Sequence, residues 1–382
     1  MSSQQSGFRV PRSRASQTHA AMRDEIEQAI EPILFGNMAE SYAVRGRLES
    51  AFAAEVKQKY AVAVHSGTIG LFLALRACGI TSGDEVITVG NSDISTTAAI
   101  RQCGAEPVLC DVLTDDYTIN TELVEALLSP RTRALLPVDL YGHPANVKAL
   151  RSLAQKHDLK IIEDAALATG AHDHGQPAGA FADATIFSFA PFKPLGSVGN
   201  GAMVVTNDDD IYEQLRRLTH YGHSADTTGV PSGHQHYVGE GYNVPLDGLQ
   251  AAIVLTKLPY LKKWTAQRQA IAQAYHDGLK DTSARIPIFR PEASPTFRSY
   301  TICVEDQAGT YRYLRDAGIE VVLHYTPAIY KHIVYDQRPL INEQNLPVTD
   351  RLAESLICLP VTPELTKEDT RYVINKICNI LK

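Results

Sequence analysis

The sequence contains no apolar run near the roughly 18 residues that a membrane-spanning helix requires, so no membrane association is expected. It has no excess of basic residues. Lys and Arg number 36 against 43 Asp and Glu, a formal net charge of −7, and this argues against a nucleic-acid partner. The opening MSSQQSGFRVPRSRASQ lacks an apolar centre, so a secretory signal is not expected. The six cysteines (Cys78, Cys103, Cys110, Cys303, Cys358, Cys378) form no CxxC pair, and five sit in apolar runs. Reduced core thiols in a cytoplasmic protein are the expectation. There is no GxxxxGK[ST] P-loop. No GxGxxG follows a strand, because Gly196, Gly199 and Gly201 have another spacing and precede one.

What is present is a regular alternation of short apolar runs and helical periods from about residue 55. AVAV (61–64), EVITV (85–89), PVLCDV (107–112), RALLPVDL, LKIIED (159–164), ATIFSF (184–189) and AMVVTN (202–207) read as strands. IGLFLALRAC, STTAAIRQC, TELVEALLS and NVKALRSLAQKHD read as the helices between them. This βαβα order predicts an α/β fold with a mostly parallel sheet and helices on both faces. Near residue 250 the pattern changes to a long helix interrupted at Pro259. Beyond Pro287 come strand RSYTICV, helix TYRYLRDAG, strand VVLHY and two further helices. The expected organisation is a flexible arm over 1–25, a large domain over 26–250 and a small domain over 251–382.

Ligands of open α/β sheets bind beyond the carboxyl ends of the strands. Three elements there can do chemistry. Ser66-Gly67-Thr68 joins a strand to a helix, where free amides can seat a phosphate, although Ser66 equally serves as a plain helix cap. Asp164 ends an apolar strand, where a carboxylate either pairs with a cation or caps a turn. Lys193 lies in FSFAPFKPLG, an apolar setting that lowers an amine's pKa and favours Schiff-base chemistry, unless the side chain simply snorkels to the surface. Taken together, phosphate seat, strand-end aspartate and lysine describe a pyridoxal phosphate site. A carboxylate about 4 Å from the cofactor's ring nitrogen gains about 4 kcal/mol at an effective dielectric near 20. That is roughly three pKa units, enough to hold the ring proton at neutral pH.

The stretches HSGTIGLFLAL, GDEVITV, GAEPVLCDV, PVDLYGHPANV, IIEDAALATGA, FSFAPFKPLG, GNGAMVVTND, GYNVPLDGLQAAI and LPVTPELT carry a resemblance over nearly the whole chain. The sequence resembles the DegT/DnrJ/EryC1/StrS aminotransferases. The resemblance implies a fold-type I pyridoxal phosphate enzyme, with a mostly parallel seven-stranded sheet in the large domain and a smaller C-terminal α+β domain. It implies pyridoxal 5′-phosphate as cofactor, L-glutamate as donor and a keto-deoxysugar nucleotide as acceptor, a dTDP-4-keto-6-deoxyhexose with C4 placed ahead of C3. Lys193 would bond to the cofactor and shuttle the proton, and Asp164 would pair with the ring nitrogen. Ser66, Gly67, Thr68 and Ser188 would hold the phosphate. Asn243 of GYN would reach it from a partner subunit, which implies a homodimer with shared active sites.

Three positions depart from the family pattern. Asp93 stands where an aromatic usually stacks on the cofactor, Leu167 replaces the glutamine that meets its phenolic oxygen, and Pro245 replaces an arginine. Asp93 is read either as a substrate contact or as the cap of the helix that follows. His220, Tyr221 and His324 are candidate substrate contacts. The histidine pairs in the polar loops lack the companion ligands of a metal site, so none is expected. The rival readings are a sugar dehydratase, which in its C3 type carries histidine in place of the lysine, and a non-catalytic regulator.

Overall fold

The computed structural model describes residues 7–224 and 234–381. Three helices, α1 (Ala15–Ala21), α2 (Arg23–Phe35) and α3 (Met38–Glu55), lead to the first strand, β1 (Tyr60–Val64). Helix α4 (Gly67–Ala77), β2 (Glu85–Val89), α5 (Ile94–Gln102), β3 (Glu106–Cys110), the single turn α6 (Thr121–Val124), β4 (Thr132–Leu135), α7 (Val147–His157) and β5 (Lys160–Asp164) continue the alternation. A small hairpin, β6 (His172–Asp173) with β7 (Gln176–Pro177), precedes β8 (Ala184–Ser188), β9 (Ala202–Thr206) and α8 (Asp209–Thr219).

Seven of these strands form one sheet in the order β1-β9-β8-β5-β4-β2-β3. Only β9 runs against the rest, because it pairs antiparallel with both β1 and β8. The strands are almost entirely buried, as expected for a sheet covered on both faces, and Val, Ile, Leu and Ala fill them. The parallel run has one consequence for the site: β1, β2, β5 and β8 all end at the same edge, carrying Ser66, Asn91 to Asp93, Asp164 and Ser188 there.

Helix α9 (Gly248–Lys257) and α10 (Leu261–Leu279) are separated by a 3-10 turn around Pro259, where the sequence placed an interruption. Helix α10 joins two cores. Leu261 and Trp264 pack with Phe52, Phe187 and Phe189 of the large unit, whereas Ile271, Tyr275 and Leu279 pack with Tyr300, Ile302 and Val373 of the C-terminal unit. The change of core therefore falls within α10, beyond the residue-250 division expected from composition. Strand β10 (Ala293–Ser294) pairs antiparallel with β6 and extends that hairpin to three strands, and the C-terminal unit contains β11 (Tyr300–Cys303), α11 (Gln307–Asp316), α12 (Pro347–Ser355), β12 (Leu356–Leu359) and α13 (Lys367–Cys378), with β11 and β12 antiparallel.

Two expectations need correction. Residues 1–6 of the expected arm lie outside the described residues, but the rest of it is docked. Val10 is fully buried in the C-terminal core and exchanges backbone hydrogen bonds with Gly318 and Glu320, both at 2.9 Å, and Arg14 pairs with Asp369 at 2.8 Å. Polar composition hid this docking, because a single buried valine is joined by polar anchors, among them the Arg14–Asp369 and Arg9–Glu368 ion pairs and the Arg12 amide donating to Glu320 at 2.9 Å. VVLHY is not a strand either: only Val322 bridges to Cys358, and the chain then leaves the sheet and carries Tyr325 toward the carboxyl edge.

Candidate active site

At that edge lies a cavity of about 220 Å³. Its lining brings together Ser66, Gly67, Thr68, Asp93, Asp164, Leu167, Ser188 and Lys193, residues that span more than a hundred positions of sequence. Ser66 caps α4, its hydroxyl accepting from the Ile69 amide at 3.4 Å, so the backbone amides of the first turn face the cavity end. A methyl group on Gly67 would stand 3.5 Å from Ser188 Oγ, which places the helix start and the end of β8 side by side. The hydroxyls of Ser66, Thr68 and Ser188, an open helix N-terminus and its dipole form a phosphate-sized anion seat.

Asp164 closes the other side. Alternation along β5 turns it into the cavity and sends Glu163 to the opposite face, where Glu163 Oε2 accepts from the Gly179 amide at 2.9 Å and from Thr185 Oγ1 at 3.2 Å. Asp164 accepts from the Ala166 amide at 3.1 Å and from Thr96 Oγ1 at 3.3 Å. These two bonds do not offset its burial, which pushes the carboxyl above its usual range. A buried carboxylate so placed fits a cationic ring N–H. Lys193, held by a turn in which its amide donates to Ala190 at 2.9 Å, has an amine lowered to about 8, chiefly by burial and next by the Arg298 guanidinium. Anion seat, carboxylate and depressed amine thus fit pyridoxal phosphate at its phosphate, ring nitrogen and aldehyde.

Of the departing residues, Asp93 caps α5, accepting from the Ser95 amide at 2.9 Å while lining the cavity. Leu167 presents an apolar wall where a hydrogen-bond donor was sought. Tyr325, which the sequence reading missed, adds an aromatic ring to the lining; its neighbour His324 stacks on it at 4.8 Å. His324 feels the charges of Arg12, Arg298, Asp93 and Lys193, and burial lowers it to about 4. Ser92, at the end of the second predicted strand where a site is expected, also lines the cavity, as does Asn200, which was not anticipated. Residues such as Tyr325 arrive from the C-terminal unit, and no local pattern announces them.

The remaining candidates lie elsewhere on this chain. His220 and Tyr221 line a separate pocket of about 300 Å³ with Arg216, His223 and Tyr237. Asn243 is exposed, opposite His220 in an isolated bridge, and does not line the Lys193 cavity of its own chain.

The model of the DegT/DnrJ/EryC1/StrS aminotransferase family matches residues 20–378. The chain is 36% identical over 382 residues to the dTDP-3-amino-3,4,6-trideoxy-alpha-D-glucose transaminase of Streptomyces venezuelae, covering 99% of this chain and 97% of that protein. It is 36% identical to the erythromycin biosynthesis sensory transduction protein EryC1 of Saccharopolyspora erythraea, covering 92% and 94%. Among solved structures, S. venezuelae DesV superposes with a TM-score of 0.90 at 34% identity, covering 97% of this chain and 98% of that one.

Proposed function

Because the chain belongs to the DegT/DnrJ/EryC1/StrS aminotransferase family, we propose that it moves the amino group of L-glutamate onto a keto-deoxysugar carried by a nucleotide, using pyridoxal 5′-phosphate. The observation that carries this reading is the single cavity shared by Lys193, Asp164 and the seat of Ser66, Gly67, Thr68 and Ser188. When bound, the cofactor supplies the electron sink that lets an amine leave one carbon skeleton and join another.

The residues of the chain do the rest. Ser66, Gly67, Thr68 and Ser188 hold the phosphate and so fix the ring's position. Asp164 orients the ring nitrogen and keeps its proton in place by charge. Lys193 Nζ holds the cofactor. As a free amine with a pKa of about 8 it then accepts a proton from one carbon and returns it to another, because near neutral pH both of its forms are populated. Val138, Leu140, Leu167 and Tyr325 give the cavity apolar walls that exclude water.

The acceptor we favour is a dTDP-linked keto-deoxyhexose. The name of the S. venezuelae relative puts its amine at C3, and this moves the preference from C4 to C3. The EryC1 relative is named as a sensory protein, but a regulator has no use for a buried carboxylate facing a depressed lysine amine. The enzyme works as a homodimer in which Asn243 reaches the phosphate in the partner's site. Its exposure and its absence from the cavity of its own chain support this assignment.

The test is product analysis by mass spectrometry with L-glutamate and dTDP-linked 3-keto and 4-keto sugars. Amine transfer to the 3-keto substrate is expected, with none detectable in Lys193→Ala. Undiminished transfer by Lys193→Ala would remove the mechanism; turnover of the 4-keto sugar alone would move the amine back to C4.

A further inference from the structure

A second cavity, of about 40 Å³, adjoins the first, and Lys193 is the one residue common to both linings among the described residues. Three parts of the chain meet around it: the docked N-terminal segment with Arg12 and Thr18, the lysine loop, and the C-terminal unit with Arg268, Arg298 and Glu364. Its walls hold five cationic side chains, Arg12, Lys193, Lys257, Arg268 and Arg298, against the single carboxylate of Glu364.

These cations are not surface decoration. Arg268 and Arg298 are each only 6% exposed and Lys257 only 5%. Arg268 Nε and Nη1 have no hydrogen-bond partner. Lys257 Nζ turns to the Gly196 carbonyl and to His19 Nε2, at 3.2 Å from the latter, and finds no carboxylate there. Glu364 already accepts from the hydroxyls of Thr18 and Thr362. Burial lowers Arg298 to about 9 and Arg268 to about 10, and neighbouring guanidinium groups deepen the fall at Arg298. Glu364 attracts both Lys257 and Arg268, but one carboxylate does not balance five cations, and each buried cation left unbalanced costs several kcal/mol. A cluster of them facing an opening is the arrangement of a site that awaits an anion.

The groups around the opening select the anion. Two guanidinium forks, those of Arg268 and Arg298, match the paired oxygens of a carboxylate, whereas the seat suited to a phosphate lies in the neighbouring cavity at Thr68 and Ser188. We infer that this cavity receives a carboxylate of the amino donor, with Arg268 and Arg298 as its partners and Lys257 and Arg12 as supporting charges, so that the donor's amine is delivered beside Lys193. The inference rests on the aminotransferase reading and adds to it the residues that recognise the donor.

The experiment is calorimetric titration of the cofactor-loaded protein with glutarate, a dicarboxylate without an amine, and separately with dTDP. Arg298→Gln and Arg268→Met are each expected to weaken glutarate at least tenfold and to leave dTDP affinity within twofold. Thermal unfolding adds a second readout: glutarate should raise the melting temperature of the wild type but not of the variants. Should Arg268→Met fail to fold, Arg298→Gln and Arg12→Gln carry the same comparison.

Glutarate affinity within twofold of wild type in the folded variants would overturn the inference. So would a loss confined to dTDP, which would give the cluster to the nucleotide's phosphates. The wild type's amine uptake from L-glutamate, followed by its visible spectrum, separates the two failures. No uptake defeats the aminotransferase reading, whereas uptake with unchanged glutarate binding in the variants defeats this inference alone.

Discussion

Asp164 shows how one side chain is set up by its surroundings. Its two acceptor contacts come from Ala166 and Thr96, and burial outweighs them, so the carboxyl sits above its usual range until a cation arrives. The attraction to a ring nitrogen at about 4 Å is about 4 kcal/mol at an effective dielectric near 20, equivalent to about 10³ in rate if it is fully used in the transition state. Asp164→Asn keeps the shape and the Thr96 contact but removes the charge. It should retain cofactor through Lys193 and the phosphate seat while lowering kcat by about 10²–10³-fold, as steady-state kinetics would reveal. A change of less than threefold would mean that Asp164 is merely a turn cap. Asp93, by contrast, is a helix cap in the structure that also lines the cavity.

At the scale of elements, the loop that carries Lys193 is braced by α9. Gln250 Oε1 accepts from Ser197 Oγ at 2.7 Å and from the Gly199 amide at 2.8 Å. Gln250→Ala removes both bonds, worth about 1 kcal/mol each. Faster release of cofactor on dilution, with the fold's far-UV circular dichroism unchanged, is the expected result; an unaltered release rate would show that the turn at Ala190 suffices. Such braces were invisible in the sequence, whereas the elements they join were largely legible. EVITV is β2 residue for residue, and the helix break at Pro259 falls where the proline demands it. Ser66, Asp164, Ser188 and Lys193 were legible because each ends or follows an apolar strand. Helices α1 to α3 were not read, since polar residues mask the few apolar positions they bury, such as Val44, Leu48 and Phe52. The short β12 was missed because its four buried residues directly continue a helix. Tyr325, Arg12, Arg268 and Arg298 reach the site through tertiary packing, so no local spacing could have selected them.

Two properties belong to the molecule as a whole. The first is a pH dependence of stability. Glu163 faces Asp139 behind the sheet edge, and burial raises both, Glu163 to about 7 from an ordinary 4.5. The folded protein therefore keeps a proton that the unfolded chain releases, and stability falls as pH rises from about 4.5 to about 7, by up to about 1.4 kcal/mol per pH unit. Buried His143 and His324, lowered to about 4, act in the opposite sense below about 6.5, so the test is a difference. The urea midpoint of Glu163→Gln relative to wild type should climb between pH 5 and 7; a constant offset would show that the pair carries no shared proton. The second property is assembly. Leu34, Phe35, Met38 and Tyr42 stand exposed at the α2–α3 corner, Phe35 at 82% and Met38 at 79%, and Phe192 and Val198 are exposed on the lysine loop. Exposed apolar side chains gathered at one corner are the kind of surface a protein interface covers, and the proposed twofold dimer would let Asn243 serve the neighbouring site. Light scattering should give twice the 41.8 kDa chain mass, reverting to one chain in a Phe35→Asp, Met38→Asp variant. Mixing then asks whether sites are shared. If Lys193→Ala and Asn243→Ala chains exchange freely, half the dimers are mixed and each holds one intact site, so activity should rise above both parents toward about a quarter of wild type. A mixture no better than the average of its parents would confine each active site to a single chain.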